Sequence, residues 1–211
     1  MAAFDAAIAA GCGIECDVRA SRDGIALIFH DAMLARMTGV TGSLGERDAA
    51  DLDGLALPDG GTIPRLAALL ERCGGAVPLL VEIKARGRAV VPVCTVVARD
   101  LAAWRGAPVA IMSFNPLVLH WFGQRSPQMV RGLVVTQQRK GAMRGMIARA
   151  LALWLGKPDF LACDIRDLPS PFATRARAKG RPVLTWTVRS EDERARAAVH
   201  ADQIIFEKPH D

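Results

Sequence analysis

The sequence contains no tyrosine, and only 5% of its 211 residues are aromatic. Proteins that hold single-stranded nucleic acid stack its bases on aromatic side chains, so a stacking platform is not expected. No lysine or arginine run of the kind found in nucleic-acid-binding tails is present either. The net charge of +5 is a mild basic excess, which suits an anionic substrate and ordinary solubility alike. No uninterrupted apolar run reaches membrane-spanning length. The opening MAAFDAAIAAG lacks the basic segment of a signal peptide. The five cysteines include no C-x-x-C pair, so a thiolate metal site is not expected. They are read as reduced and mostly packed, consistent with the cytoplasm. Neither a G-x-G-x-x-G turn after a first strand nor a G-x-x-x-x-G-K-[ST] phosphate loop occurs.

What is present centres on Gly13 to Asp31, GIECDVRASRDGIALIFHD. Polar and apolar residues alternate from Ile14 to Arg19, the period of a strand, which puts Glu15, Asp17 and Arg19 on one face. Asp23-Gly24 is a strong hairpin signal, and Ile25 to Phe29 reads as a second strand ending at His30-Asp31. Two carboxylates one pleat apart are costly on an inward face unless something offsets their charge. A divalent cation would do so; a solvated acidic face on an ordinary hairpin is the plainer alternative.

The rest of the chain alternates strand and helix. Met1 to Ala10 is helical in pattern, with Gly11 as its stop. Thr38 to Gly61 is rich in Gly, Asp and Thr and reads as an irregular excursion. A helix is expected from Thr62-Ile63-Pro64, with Thr62 or its neighbour as cap and Leu66, Leu69 and Leu70 on one face. Strands are expected at 77–84, 109–114, 130–135, 160–164, 183–188 and 203–206, with helices at 89–104, 116–122, 142–155, 171–179 and 191–199. Such alternation implies a parallel sheet with crossover helices. Polar residues gather at strand ends: Glu15 and Asp17, Glu82 and Lys84, Ser113, Asp164, Trp186 and Thr187. Sites in a (β/α)8 barrel are built there, whereas an open doubly wound sheet concentrates its site at one switch point. The expected fold class is therefore an α/β TIM (β/α)8 barrel, one domain over residues 1–211.

Glu15, Asp17 and Glu82 form an all-oxygen ligand set suited to Ca²⁺ or Mg²⁺. The competing role for Glu82 is a pair with Lys84. Lys84 is placed to meet a phosphate oxygen as a point charge, or else to snorkel at the barrel mouth. His30 is the candidate acid/base, since imidazole is the side-chain type suited to proton transfer near neutrality. His120, His200 and His210 lack partners at recognisable spacing and are read as structural or solvated. The 142–155 helix is expected in the outer ring with its apolar face inward, contact with a membrane surface being the rarer alternative.

E-x-D-V, the D-G turn, the apolar run into F-H-D and the following Leu34-Ala35-Arg36-Met37-Thr38-Gly39 resemble the glycerophosphodiester phosphodiesterase family. A T-I-P-x-L segment and a W-T-V strand end appear in the family's order. The resemblance implies a phosphodiesterase-type TIM barrel that hydrolyses glycerophosphodiesters with a divalent metal, releasing sn-glycerol 3-phosphate and an alcohol. It implies Glu15, Asp17 and Glu82 as metal ligands, His30 as a catalytic group, and Phe114 and Trp186 as substrate contacts; Lys84 joins both the catalytic and the substrate-binding sets on its placement as a point charge. Ordinary core packing is the alternative for Phe114. The attacking oxygen it implies is a hydroxyl of the substrate itself. Family members begin with a strand ending in H-R-G and a loop ending in P-E-N-[ST], and Met1 to Gly11 resembles the helix that follows. The first barrel strand and a second catalytic histidine are thus expected to be missing, with weak turnover and open strand edges that invite self-association. A truncated or crippled barrel serving as a binding scaffold, or a lysophospholipase D-type relative, are the alternatives. The expected partner is a small glycerophosphodiester, with no nucleic acid and no transmembrane segment.

Overall fold

The structure, a computed structural model, describes residues 1–137 and 142–207, the side chains of 142–144 excepted. His210 and the Arg144 side chain therefore lie outside the described residues. The chain forms two compact units, Met1–Ile111 and Met112–Asp211.

In the first unit, α1 (Ala2–Ala9) ends at Gly11, whose φ of 65° is cheap only for glycine, and leads into β1 (Ile14–Ala20). Ile14, Cys16 and Val18 are buried on one face of β1, and Glu15, Asp17 and Arg19 are half-buried on the other. Gly24, at φ 78°, makes the turn, and β2 (Ala26–Ile28) returns antiparallel with Val18 opposite Ile28. β3 (Leu79–Ile83) lies parallel to β1 on its other side, with Asp17 opposite Glu82.

The 38–61 excursion is more ordered than its composition implies. It holds the end of α2 (Ala35–Thr38), a 3₁₀ turn (Leu44–Glu46) and α3 (Ala49–Asp53). Leu44 and Leu52 project from it into a cluster with Leu27, Phe29, Leu34 and Ile63. Leucines spaced by single turns carry no 3.6-residue period, so the pattern does not show in sequence. The helix expected to open at Thr62 opens instead as α4 (Leu66–Cys73), with Arg65 at its N-cap and no side-chain cap. Thr62 is in a bridge with Ala56. Pro64 biases Ile63 toward extended backbone, which delays the helix. Leu66, Leu69 and Cys73 form its buried face. The unit closes with α5 (Val91–Ala102) and the start of β4 (Val109–Ser113).

In the second unit α6 (Pro116–Arg125) starts at Asn115, whose side-chain oxygen accepts from the Leu117 N–H at 3.1 Å. β5 (Val130–Val135), β6 (Phe160–Asp164), β7 (Val183–Val188) and β8 (Gln203–Phe206) run parallel, each beside the next. The crossovers are α7 (Ala142–Gly156), α8 (Pro171–Ala178) and α9 (Glu191–His200). Ser170 and Ser190 cap the last two by accepting from N–H groups of the first turn.

α7 departs from expectation. Met146, Ile147, Leu151 and Trp154 face outward, not inward. The inward positions are small: Gly145 and Gly156 are buried, and a Cβ on Gly156 would stand 3.1 Å from Leu119 of α6. Close approach to α6 thus falls to Gly156, with Met146, Ile147, Leu151 and Trp154 left exposed. His120 is exposed and His200 half-buried.

Candidate active site

β1 and β3 converge three carboxylates. Glu15 and Asp17 are one pleat apart, Glu82 faces Asp17 across the ladder, and one oxygen of each lies within 4.8 Å of the others. Lys84 sits one residue beyond β3, where its N–H donates to the Val18 carbonyl at 2.9 Å, and period two returns its side chain to the Glu82 face. Its Nζ stands 3.0 Å from Asp17 Oδ1 and pairs with Glu82 Oε1. The Glu82–Lys84 pair therefore exists together with the triad, and Lys84 is largely buried among carboxylates, not snorkelling. Burial holds the Glu82 carboxyl above the usual range, with Lys84 pulling it down and Asp17 pushing it up. Burial works against the Lys84 charge too, but Glu82 and Asp17 outweigh it and hold the ammonium above its ordinary value.

His30 follows β2. The Phe29 N–H donates to the Asp17 carbonyl at 2.8 Å, which ties the histidine loop to the acidic strand. His30 Nδ1 lies 2.7 Å from Asp31 Oδ1, and Arg36 Nε donates to Asp31 Oδ2 at 2.5 Å. The Arg36 guanidinium, helped by His30 against the cost of burial, lowers the Asp31 carboxyl to about 2. A carboxylate on Nδ1 fixes the ring with Nε2 outward. Arg19 donates from Nε and Nη2 to the His30 carbonyl at 3.0 and 2.8 Å. Glu15, Asp17, Phe29 and His30 line one cleft of ≈ 250 Å³, with Phe4 and Met37 at its apolar side.

The donor set is all hard oxygen, which fits a divalent cation of the Mg²⁺ or Ca²⁺ kind better than a soft metal. None of the five cysteines belongs to it.

In the second unit Phe114 is 42% exposed, which sets aside core packing. Its ring meets Trp186 edge-on at 5.6 Å and 85°, and the Trp186 indole N–H donates to the Ala162 carbonyl at 2.9 Å. Asp164, polar and at a strand end, is structural. It is 1% exposed, accepts from the Arg166 N–H, and is gripped by the Arg166 guanidinium at 2.9 and 2.6 Å.

Sequence reasoning placed Arg19 on the carboxylate face without a task. Its task depends on the hairpin bringing residue 30 back beside residue 19, and the one available signal was an arginine in register with two acids. The Arg36–Asp31–His30 chain was visible only as adjacent motifs.

Alternating strands and helices, converging carboxylates at the end of a strand pair and a carboxylate-oriented histidine make an α/β domain with a cleft suited to metal-assisted acid–base chemistry. The glycerophosphoryl diester phosphodiesterase family model matches residues 1–210, and the chain belongs to that family. It is 32% identical over 198 residues to the protein named Probable glycerophosphodiester phosphodiesterase 2 of Mycobacterium tuberculosis (strain ATCC 25618 / H37Rv), covering 85% of this chain and 69% of the relative. Among solved structures, one from Silicibacter pomeroyi DSS-3 superimposes with a TM-score of 0.85 at 22% identity, over 99% of this chain and 84% of that one. A phosphodiesterase of Oleispira antarctica, in complex with the product sn-glycerol-3-phosphate, gives 0.83 at 24% identity, over 97% and 85%. The fold is the α/β TIM-barrel type of these phosphodiesterases. No helix among the described residues is long and apolar enough to cross a membrane.

Proposed function

We propose that the chain hydrolyses a glycerophosphodiester to sn-glycerol 3-phosphate and an alcohol with the aid of Ca²⁺ or Mg²⁺. The observation that carries this reading is the shared cleft of Glu15, Asp17 and His30, beside the Glu82–Lys84 pair. Glu15, Asp17 and Glu82 would hold the cation, which when bound supplies charge to offset the phosphate and polarise its P–O bonds. Lys84 meets a phosphate oxygen with a charge that its carboxylate neighbours keep in place.

His30 moves the proton. With Nδ1 held by Asp31, Nε2 takes the proton from the attacking hydroxyl of the glycerol moiety or returns one to the departing oxygen. Asp31 stays ionised and stabilises the imidazolium that forms. A hydroxyl of the glycerol moiety acts as nucleophile: its oxygen forms a P–O bond as the bond to the alcohol oxygen breaks, the alcohol leaves with a proton, and a water molecule then opens the resulting cyclic phosphodiester to sn-glycerol 3-phosphate. This fits a cleft with no serine or cysteine presented beside the histidine; Cys16, which lines it, is buried and its thiol is pushed up by burial and by Glu15 and Asp17. Phe114 and Trp186 take the substrate-contact role that family membership suggests, supported by the exposed edge of Phe114 against the indole.

The test is an assay for released glycerol 3-phosphate from glycerophosphocholine. Weak turnover is expected with added Mg²⁺ or Ca²⁺, given one histidine for the two proton transfers, and it should vanish with chelator. His30→Ala should lower kcat by about 10² to 10⁴, the usual worth of general acid–base help. Chelator-resistant turnover, or a fully active His30→Ala chain, would remove the reading.

A further inference from the structure

We propose that the outward face of α7 is a docking surface for an anionic phospholipid membrane. Met146, Ile147, Leu151 and Trp154 lie at helical spacing on one side, and Trp154 is 71% exposed. From Met146 to Trp154 the stripe runs about 12 Å along the helix axis. Helices on the outside of an α/β domain normally show charge to water; this one does not. The one charged residue between Gly145 and Gly156 is Arg149, and it is half-buried with its guanidinium 5.4 Å over the Phe172 ring of α8. The solvent-facing side is therefore apolar without a charged interruption. The opposite side is already taken, since Gly156 stands against Leu119 of α6.

Charge selects the occupant. From Met112 to Pro158 the sequence has no Asp or Glu and seven Lys or Arg. Of these, Lys157 is exposed just past the stripe and Arg125 is exposed at the end of α6. Arg131 is largely buried beside Asp159, Arg149 lies over Phe172, and Arg139, Lys140 and the Arg144 side chain lie outside the described residues. A second copy of the chain would bring the same positive segment against itself. An anionic bilayer offers the opposite sign, and an aromatic with aliphatic side chains on a helix flanked by basic residues is the pattern that settles into a headgroup layer. Trp154, near the C-terminal end of α7, has the amphipathic ring favoured at that depth.

The full chain is sedimented with vesicles of phosphatidylcholine alone and of equimolar phosphatidylcholine and phosphatidylglycerol. Binding is expected to the second only, and to weaken as salt is raised. Leu151→Ser/Trp154→Ser should keep the native melting profile, because both side chains are exposed, and lose vesicle affinity by about tenfold or more. A separate Ile147→Ser chain should lose part of it. No binding by the native chain, or undiminished binding by the variants, overturns the proposal. So does a dimer in light scattering that the double variant dissolves while vesicles stay unbound, which would assign the face to a second copy.

Discussion

Arg19 closes a fork on the carbonyl oxygen of His30, and its third guanidinium nitrogen reaches the Lys84 carbonyl at 3.5 Å. One side chain on β1 thus holds the backbone of both the histidine and the lysine. Lysine cannot reproduce a planar fork. Arg19→Lys is expected to leave cation binding intact and KM little changed, while kcat falls by about tenfold to 10²-fold as the imidazole loses its position. Kinetics at saturating cation, with calorimetric titration beside them, check this. An unchanged kcat would reduce Arg19 to a surface tie.

Lys84 competes for the same carboxylates a cation needs. Lys84→Met should weaken the apo protein, since removing one partner of a buried pair costs up to about 3–5 kcal/mol and the partial exposure of Asp17 brings this toward the lower end. Mg²⁺ or Ca²⁺ should then raise the melting temperature of Lys84→Met more than that of the native chain, because binding to the folded state alone stabilises it. Glycerol 3-phosphate release should still fall. Equal cation-induced shifts in thermal melts would mean that Lys84 and the cation do not share ligands.

Asp31 gives a pH dependence. Its carboxyl falls from an ordinary 3.8 to about 2 in the folded chain, chiefly through Arg36. Above both values it is ionised in folded and unfolded states, and the folded form holds the charge better, so it stabilises. That contribution fades as pH drops between the two values, because the unfolded chain takes up its proton first. Asp31→Asn should therefore be less stable than the native chain at pH 7, with the gap closing between about pH 4 and pH 2. Urea denaturation across that range measures it; a constant gap would tie the loss to packing, not charge.

How much was legible before folding follows from period. Glu15 and Asp17, and then Glu82 and Lys84, stand two residues apart, so their shared faces could be read directly. The β1–β3 register that sets Asp17 opposite Glu82 could not, because 65 positions separate them and the pairing is made by the sheet. The same holds for Arg19 on residue 30. The outward face of α7 is not legible because helical spacing identifies a stripe but not the side it faces; the side against α6 is marked by Gly156, a residue of no apolar weight. The 38–61 segment looked irregular because its leucines sit in pieces too short to show a repeat.

The cysteines offer a simple count. Cys16, Cys73, Cys94 and Cys163 are buried and Cys12 is half-exposed. Burial pushes the Cys163 thiol up to about 12, so little thiolate forms at pH 8. A thiol-disulfide reagent at pH 8 should label Cys12 alone in the native chain, and all five in denaturant. Rapid native labelling of Cys163, read by peptide mass, would show that β6 opens on the timescale of the reaction.

The last prediction concerns Gly132 and Phe160, which face each other across β5 and β6. A Cβ on Gly132 would stand 2.1 Å from Cζ and 2.2 Å from Cε2 of the Phe160 ring. The tip of the ring lies over the glycine and the residue is 6% exposed, so the ring cannot swing into water without giving up its burial. Gly132→Ala lowers the conformational entropy of the unfolded chain, which by itself favours folding, but the clash outweighs that. Inserting a carbon into a filled site costs about 1–3 kcal/mol. Phe160→Leu alone should also destabilise, by leaving space over the glycine. In the double variant the new methyl occupies some of that space. Its loss should be smaller than the sum of the two single losses by roughly 0.5 kcal/mol or more, the coupling expected of residues in contact. Equilibrium denaturation of the four chains closes the cycle. Additive losses would mean that the ring moves freely off Gly132 and that glycine there serves some other end.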